Sequence, residues 1–264
     1  DALMALALFD DIVRAHPDAE LVILTRRGAS MMRSLAAEYK GVRVLEIPRG
    51  IRAVPFFARL LLRTNSTLLM LGLSSAPLSA HLRAFLRAFA LVPGNKSIGF
   101  YDPALDVTLE YRISERIYQN FRRIVSYALP GWQDAGRPLA VRLPRVRPQG
   151  FPYEAGTYAV FHLFGTSIKH ALPPERWCAL LRHASRAHPG LGLVLTGTHA
   201  EQSAMAEVAA GLPVFCATEL SIQELIWVID NAALYVGIDT GVTHIAGVLQ
   251  QKSIVVRHCS DPSW

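Results

Sequence analysis

Residues 221–250 read SIQELIWVIDNAALYVGIDTGVTHIAGVLQ: a helix-period segment, a short apolar run, an Asp-Thr-Gly turn and a second helix-period segment. Apolar residues three and four apart in SIQELIWVIDNA define one face of a helix, whereas ALYVGI is a continuous apolar run of strand length. A strand that is apolar throughout is buried on both faces, the pattern of a parallel sheet covered by helices. The same alternation extends upstream through TYAVFHLF (157–164, strand), PPERWCALLRHASRAH (173–188, helix), LGLVLTG (191–197, strand), HAEQSAMAEVAAG (199–211, helix) and PVFCA (213–217, strand), and SIVVRH (253–258) closes it as a last strand. Strands and helices in strict alternation predict an α/β fold, here a Rossmann-like domain.

The first half repeats the rhythm more loosely. LMALALFDDIVRAHP (3–17) and LSAHLRAFLRAFAL (78–91) read as helices, and AELVILT (19–25), VRVLEI (42–47) and STLLMLGL (66–73) as strands. Between the halves, GRPLAVRLPRVRPQGFP (136–152) carries Pro138, Pro144, Pro148 and Pro152, which forbid a continuous helix and mark a linker. The expectation is two Rossmann-like domains, residues 1–145 and 146–264, facing each other across a cleft. With 264 residues and 51% apolar composition there is enough material for two cores. The chain starts without Met and stops at DPSW, so the reading is of a fold truncated at both ends.

Cys178, Cys216 and Cys259 lie 38 and 43 residues apart, which fits neither a disulfide framework nor a structural zinc site and points to a reducing, cytoplasmic setting. The most apolar stretch, 53–73, is broken by Arg59, Arg63 and Asn65, so no membrane span is expected.

Charge divides the chain. Residues 1–150 hold 21 Lys and Arg against 12 Asp and Glu, net +9, and residues 151–264 hold 6 against 9, net −3. A basic half attracts anions such as phosphorylated substrates or acidic lipid headgroups. RGIRAVPFFARLLLRTN (49–65) is its most suggestive part: Pro55 is suited to open a helix, Arg59 and Arg63 then share a face, and Phe57 and Leu61 lie opposite. That pattern serves an amphipathic helix at a membrane surface or an ordinary surface helix with one buried stripe. No helix-turn-helix, zinc-finger or RNA-recognition signature accompanies the arginines, so nucleic acid is not an expected partner.

Ligands of open α/β sheets bind beyond the carboxyl ends of the strands. After ALYVGI come Asp239, Thr240 and Gly241, ahead of a helix bearing His244, where free N–H groups and a helix dipole favour an anion. The plainer reading is that Asp239 or Thr240 only caps that helix. After TYAVFHLF come Gly165, Thr166, Ser167 and Lys169, whose hydroxyls and ammonium suit a diphosphate leaving group, or form no more than a solvated loop. After LGLVLTG, Thr198, His199 and Glu201 are within reach of a ribose hydroxyl. Neither a Walker lysine motif nor a dinucleotide fingerprint is present, and no Asp-x-Asp or helical His pair marks a metal site. His162 reads as a satisfied core histidine, and Trp177 and Trp227 as core anchors.

GTSIKHALPPERW, LVLTG, SIQELIWVIDNAALYVGIDTGVTHIAGVL and the closing DPSW resemble the carboxy-terminal half of glycosyltransferase family 9, the bacterial lipopolysaccharide heptosyltransferases, and the Asp-Thr-Gly-x-x-His-x-Ala block is the most specific part. The opening DALMALALFDDIVRAHPDAELVILT is similar to the family's first motif, and KSIGF (96–100) to its late amino-domain strand. The resemblance implies a GT-B fold and inverting, metal-independent, cofactor-free transfer of heptose from the nucleotide-sugar donor ADP-heptose. The acceptor would be a phosphorylated glycolipid of the inner core, met in the cytoplasm or on the inner face of its membrane. By that likeness Asp1 is the catalytic base and Lys169 binds the donor phosphates beside Thr166 and Ser167. Asp239, Thr240, Gly241 and His244 complete the donor site, with Glu201 or His199 at the ribose. A sugar-nucleotide epimerase or hydrolase, and a non-catalytic nucleotide-sugar-binding module, are the alternatives.

Overall fold

The computed structural model describes residues 8, 12–13, 16–18, 20–25, 29–39, 41–48, 50–70, 79–100, 102–112, 115, 117–129, 132, 141–165 and 173–256. Two compact units divide the chain between residues 140 and 141.

In the first unit, β1 (Leu21–Thr25) pairs in parallel with β2 (Val42–Glu46), and β3 (Thr67–Met70), β4 (Lys96–Phe100) and β5 (Val107–Leu109) form a separate parallel sheet. Its helices include α1 (Ala29–Leu35), α2 (Ala53–Leu61), α3 (Ala80–Ala90) and α4 (Ile117–Ala128). Phe85, Leu86 and Phe89 of α3 form a core with Leu105, against which Phe57, Leu60 and Leu61 of α2 pack. α2 begins at Ala53, after a 3-10 turn over Gly50–Arg52, so Pro55 sits inside the first turn instead of opening it. Three elements, α1, β5 and α4, have no counterpart in the pattern read from the sequence. Buried Phe121, Ile124 and Val125 give α4 its stripe, but polar neighbours mask it in the sequence.

The second unit realises every element read from the sequence. β6 (Tyr158–His162), β7 (Gly192–Thr196), β8 (Val214–Ala217), β9 (Leu234–Ile238) and β10 (Ser253–Val256) form one parallel sheet in the order β10-β9-β6-β7-β8. The connecting helices are α5 (Pro174–Ala187), α6 (Gln202–Ala209), α7 (Ile222–Asp230) and α8 (Gly241–Val248). β6 is buried at all five residues, as its apolar sequence requires of a central strand, while the edge strand β10 is largely exposed. Trp177 and Leu181 of α5, Met205 and Val208 of α6, and Phe161, Leu195 and Ile238 of the sheet fill one core.

The Pro-rich segment expected as a linker is docked from residue 141 onward. Val141, Leu143 and Phe151 are buried, Val146 donates its N–H to the Gln223 carbonyl (3.3 Å), and Arg145 pairs with Asp230 at 2.6 Å. Trp227 of α7 is half-buried under this segment, with Phe151 against its edge and the Arg147 guanidinium 5.4 Å over its ring, so it is not the core anchor expected, whereas Trp177 is one at 2% exposure.

Candidate functional site

The strand order reverses between β6 and β9: the chain builds outward from β6 through β7 to β8, then returns to lay β9 on the other side of β6. Open α/β sheets bind ligands in the crevice at such a switch point, beyond the strands' carboxyl ends. The register His162↔Gly237 brings the turns after β6 and β9 out side by side. Gly165 lies directly against Thr240; a Cβ there would come 2.8 Å from Thr240 Cγ2 and 3.4 Å from Ile238 Cδ1. The root of the loop that leads to Lys169 thus packs on the Asp-Thr-Gly turn. Thr166, Ser167 and Lys169, like Asp1, lie outside the described residues.

At the β9 turn, Thr240 occupies the N-cap of α8 in extended conformation but makes no capping bond, contrary to the plainer reading that it only caps. Its hydroxyl is buried with no partner of hydrogen-bonding geometry, although Tyr235 is near enough to feel it. A Cβ on Gly241 would meet nothing within 4 Å, so the space beside that backbone is open. α8 is anchored one turn on by Thr243, whose hydroxyl donates to the Ile238 carbonyl; the Tyr235 hydroxyl, 2.9 Å away, must then be the donor to Thr243 Oγ1. Gly237 makes this possible, because a Cβ there would overlap the Tyr235 ring and hydroxyl. Burial pushes the Tyr235 phenol above its ordinary range and keeps it protonated for that role. Burial also pushes His244 down, against the opposing pull of the Asp239 carboxylate.

The β7 turn is built differently. Glu201 Oε2 accepts from both the Thr198 N–H (2.7 Å) and the Thr198 hydroxyl (2.9 Å), closing a capping box over the helix start. Oε1 has no hydrogen-bond partner among the described residues. Gly197 admits this carboxylate: a Cβ would sit 3.1 Å from Glu201 Oε2 and 2.7 Å from Met205 Sδ. His199 is exposed and points to Glu219 at 3.5 Å. His162, at the end of β6, is buried with Nδ1 3.1 Å from Thr196 Oγ1, as a satisfied core histidine should be. Burial pushes His162 down and the Glu201 carboxylate opposes that shift.

Tyr235, Thr243 and the capping role of Glu201 were not among the features expected from the sequence. A signal existed for the last of them: Thr198-x-x-Glu201 and Ser221-x-x-Glu224 have the spacing of capping boxes, and both are formed. Among the described residues no three His, Cys, Asp or Glu side chains gather as metal ligands, and no helix is long and apolar enough to cross a membrane.

A parallel sheet whose order reverses between β6 and β9, with helices connecting its strands, defines a Rossmann-like α/β domain. The profile of glycosyltransferase family 9 (heptosyltransferase) matches residues 90–263, and the chain belongs to that family: it is a glycosyltransferase. Its fold is that of the GT-B-like heptosyltransferases. The E. coli heptosyltransferase WaaC with ADP superposes with a TM-score of 0.72 at 19% identity, covering 96% of this chain and 82% of WaaC. WaaC with ADP-2-deoxy-2-fluoro heptose gives 0.72 at 18% identity over 96% and 84%, and E. coli ADP-heptose lps heptosyltransferase II gives 0.65 at 14% over 96% and 80%. No curated protein matches the chain.

Proposed function

We propose that the protein transfers heptose from ADP-heptose to a phosphorylated glycolipid acceptor of the lipopolysaccharide inner core, with inversion at the sugar carbon and without a metal ion. The acceptor hydroxyl attacks the anomeric carbon, the bond from that carbon to the diphosphate oxygen breaks, and the hydroxyl proton passes to the Asp1 carboxylate. ADP leaves with its charge held by Lys169, the Thr166 and Ser167 hydroxyls and the backbone donors at Thr240 and Gly241. His244 and Asp239 complete the donor pocket, and Glu201 offers Oε1 to the ribose. Residues 1–145 serve the acceptor and 146–264 the donor, at the cytoplasmic face of the membrane.

The observation that carries this reading is Gly165 packed on Thr240, which starts the lysine-bearing loop at the open Asp-Thr-Gly turn. WaaC, a family relative by fold, is known with ADP and with a fluorinated ADP-heptose, which supports the donor class. The test is Lys169→Ala in the full-length protein. Transfer and ADP affinity should fall together, affinity by about tenfold for the loss of one charged partner. Unchanged affinity would remove Lys169 from the donor site, and donor turnover in the absence of acceptor would favour a hydrolase or epimerase.

A further inference from the structure

From Ile47 to Tyr101 the chain carries seven Lys and Arg and not one Asp or Glu. α2 and α3 lie in this stretch and pack on each other through Phe57 and Phe85, whose ring centroids are 4.6 Å apart. The turns that follow them are tied together. Asn65 donates its N–H to the Pro93 carbonyl (3.2 Å), and the Asn95 side chain donates to the Arg63 carbonyl (2.9 Å) and accepts from the Ser66 N–H (2.8 Å). Both helices therefore end at the same edge.

The exposed side of this pair is unusual in composition. α2 and its cap present Val54, Pro55, Ala58, Arg59 and Leu62, and α3 and its cap present His81, Ala84, Arg87 and Leu91. Val54, Leu62 and Leu91 are 65%, 83% and 85% exposed. A helix face that meets only water mixes charges of both signs; this one combines aliphatics with arginines and one histidine and no acid, the make-up of helices that lie in a membrane interface. Arg83 and Arg63 are not part of it, since Arg83 pairs with Asp102 (3.1 Å) and Arg63 with Glu20 (2.9 Å). Arg52, Arg59 and Arg87 are exposed and have no carboxylate partner among the described residues.

We propose that this face docks on an anionic lipid bilayer, with Arg52, Arg59 and Arg87 against the headgroups and Val54, Leu62 and Leu91 in the boundary between headgroups and acyl chains. Charge complementarity selects the occupant: a second copy would set arginine against arginine, and a protein surface of ordinary composition would bring lysines and arginines as well as acids, whereas this acid-free face matches a negative, partly apolar plane. The inference deepens the reading of a membrane-borne acceptor, yet it can fail separately, because vesicle binding needs neither donor nor acceptor.

The test is cosedimentation of the full-length protein with phosphatidylcholine vesicles, with and without phosphatidylglycerol. Binding should require the anionic lipid and weaken with salt, and the Arg59→Ala, Arg87→Ala double variant should partition about 25-fold less, roughly fivefold per arginine. Leu62→Trp should add blue-shifted emission that brominated acyl chains quench. These residues are exposed, and unchanged circular-dichroism melting keeps any loss of binding attributable to the surface. Equal binding to neutral vesicles, an unaffected double variant, or added emission from the Leu62→Trp variant that stays unquenched overturns the proposal. So does light scattering that shows a dimer dissociated by Leu62→Ser with Leu91→Ser.

Discussion

The turns after β7 and β9 leave the same edge of one sheet, and each starts a helix, yet they treat their backbone donors in opposite ways. Glu201 folds back to engage the Thr198 N–H and hydroxyl, so the β7 turn satisfies itself. At the β9 turn Thr240 makes no capping bond, its hydroxyl has no partner of bonding geometry, and Gly241 faces open space. The first N–H groups of any helix need an acceptor, and a turn that supplies none from its own side chains is ready for an anion from outside. The β7 turn is a structural joint with a carboxylate oxygen to spare; the β9 turn starts its helix without a side-chain cap from Thr240.

The sharpest way to break that contrast is to push the two turns at the switch point apart. Gly165→Val places a branched side chain where a Cβ already comes 2.8 Å from Thr240 Cγ2, and overpacking of this kind costs about 1–3 kcal/mol. If the strain moves the β9 turn, ADP affinity falls by about 10- to 100-fold in calorimetry. Gly241→Ala is the companion: with nothing within 4 Å of its Cβ it should leave thermal stability nearly unchanged and lower ADP affinity. A Gly241→Ala protein that binds ADP as well as the wild type would place the diphosphate elsewhere.

Capping gives the next largest effect. Glu224 closes over Ser221 in the same way that Glu201 closes over Thr198, so Glu224→Ala and Glu201→Ala should each lower stability by about 1 kcal/mol in denaturant titration. Only Glu201→Ala should also weaken ADP, by about tenfold for a lost charged hydrogen bond. Equal ADP affinity in the two variants would take the ribose contact away from Glu201.

The sheet of the second unit was legible because its strands are apolar on both faces, and Gly-rich or polar turns punctuate them. The first unit was less so. α4 hides Phe121, Ile124 and Val125 among Arg, Asn and Gln, and Asn120 finds its partners in the backbone of Arg112, which no local pattern announces. The docking of residues 141–151 depends on Asp230 and Gln223, far along the chain. At the site, the Asp-Thr-Gly block stood out by composition, while Tyr235 and Thr243 did not. An apolar strand followed by a helix gives no hint that Gly237 is small so that a tyrosine can reach across it.

The smallest effect is a pH slope, and it tests whether the two turns share one electrostatic feature despite their different capping. Each sets a histidine near a carboxylate, buried His162 near Glu201 and half-buried His244 near Asp239, and burial is the largest influence on both. A histidine whose folded-state pKa lies below its unfolded value of 6.5 takes up its proton more readily in the unfolded chain. Stability is therefore full above about pH 6.5 and declines as pH falls from there toward the folded-state value. His162→Gln keeps a partner for Thr196 and removes the proton, so denaturant titrations between neutral and mildly acidic pH should lose part of the decline, with the remainder traced to His244 by His244→Gln. A slope unchanged in both variants would mean that neither imidazole changes its proton affinity on folding, and a decline that steepens would mean that the carboxylates outweigh burial.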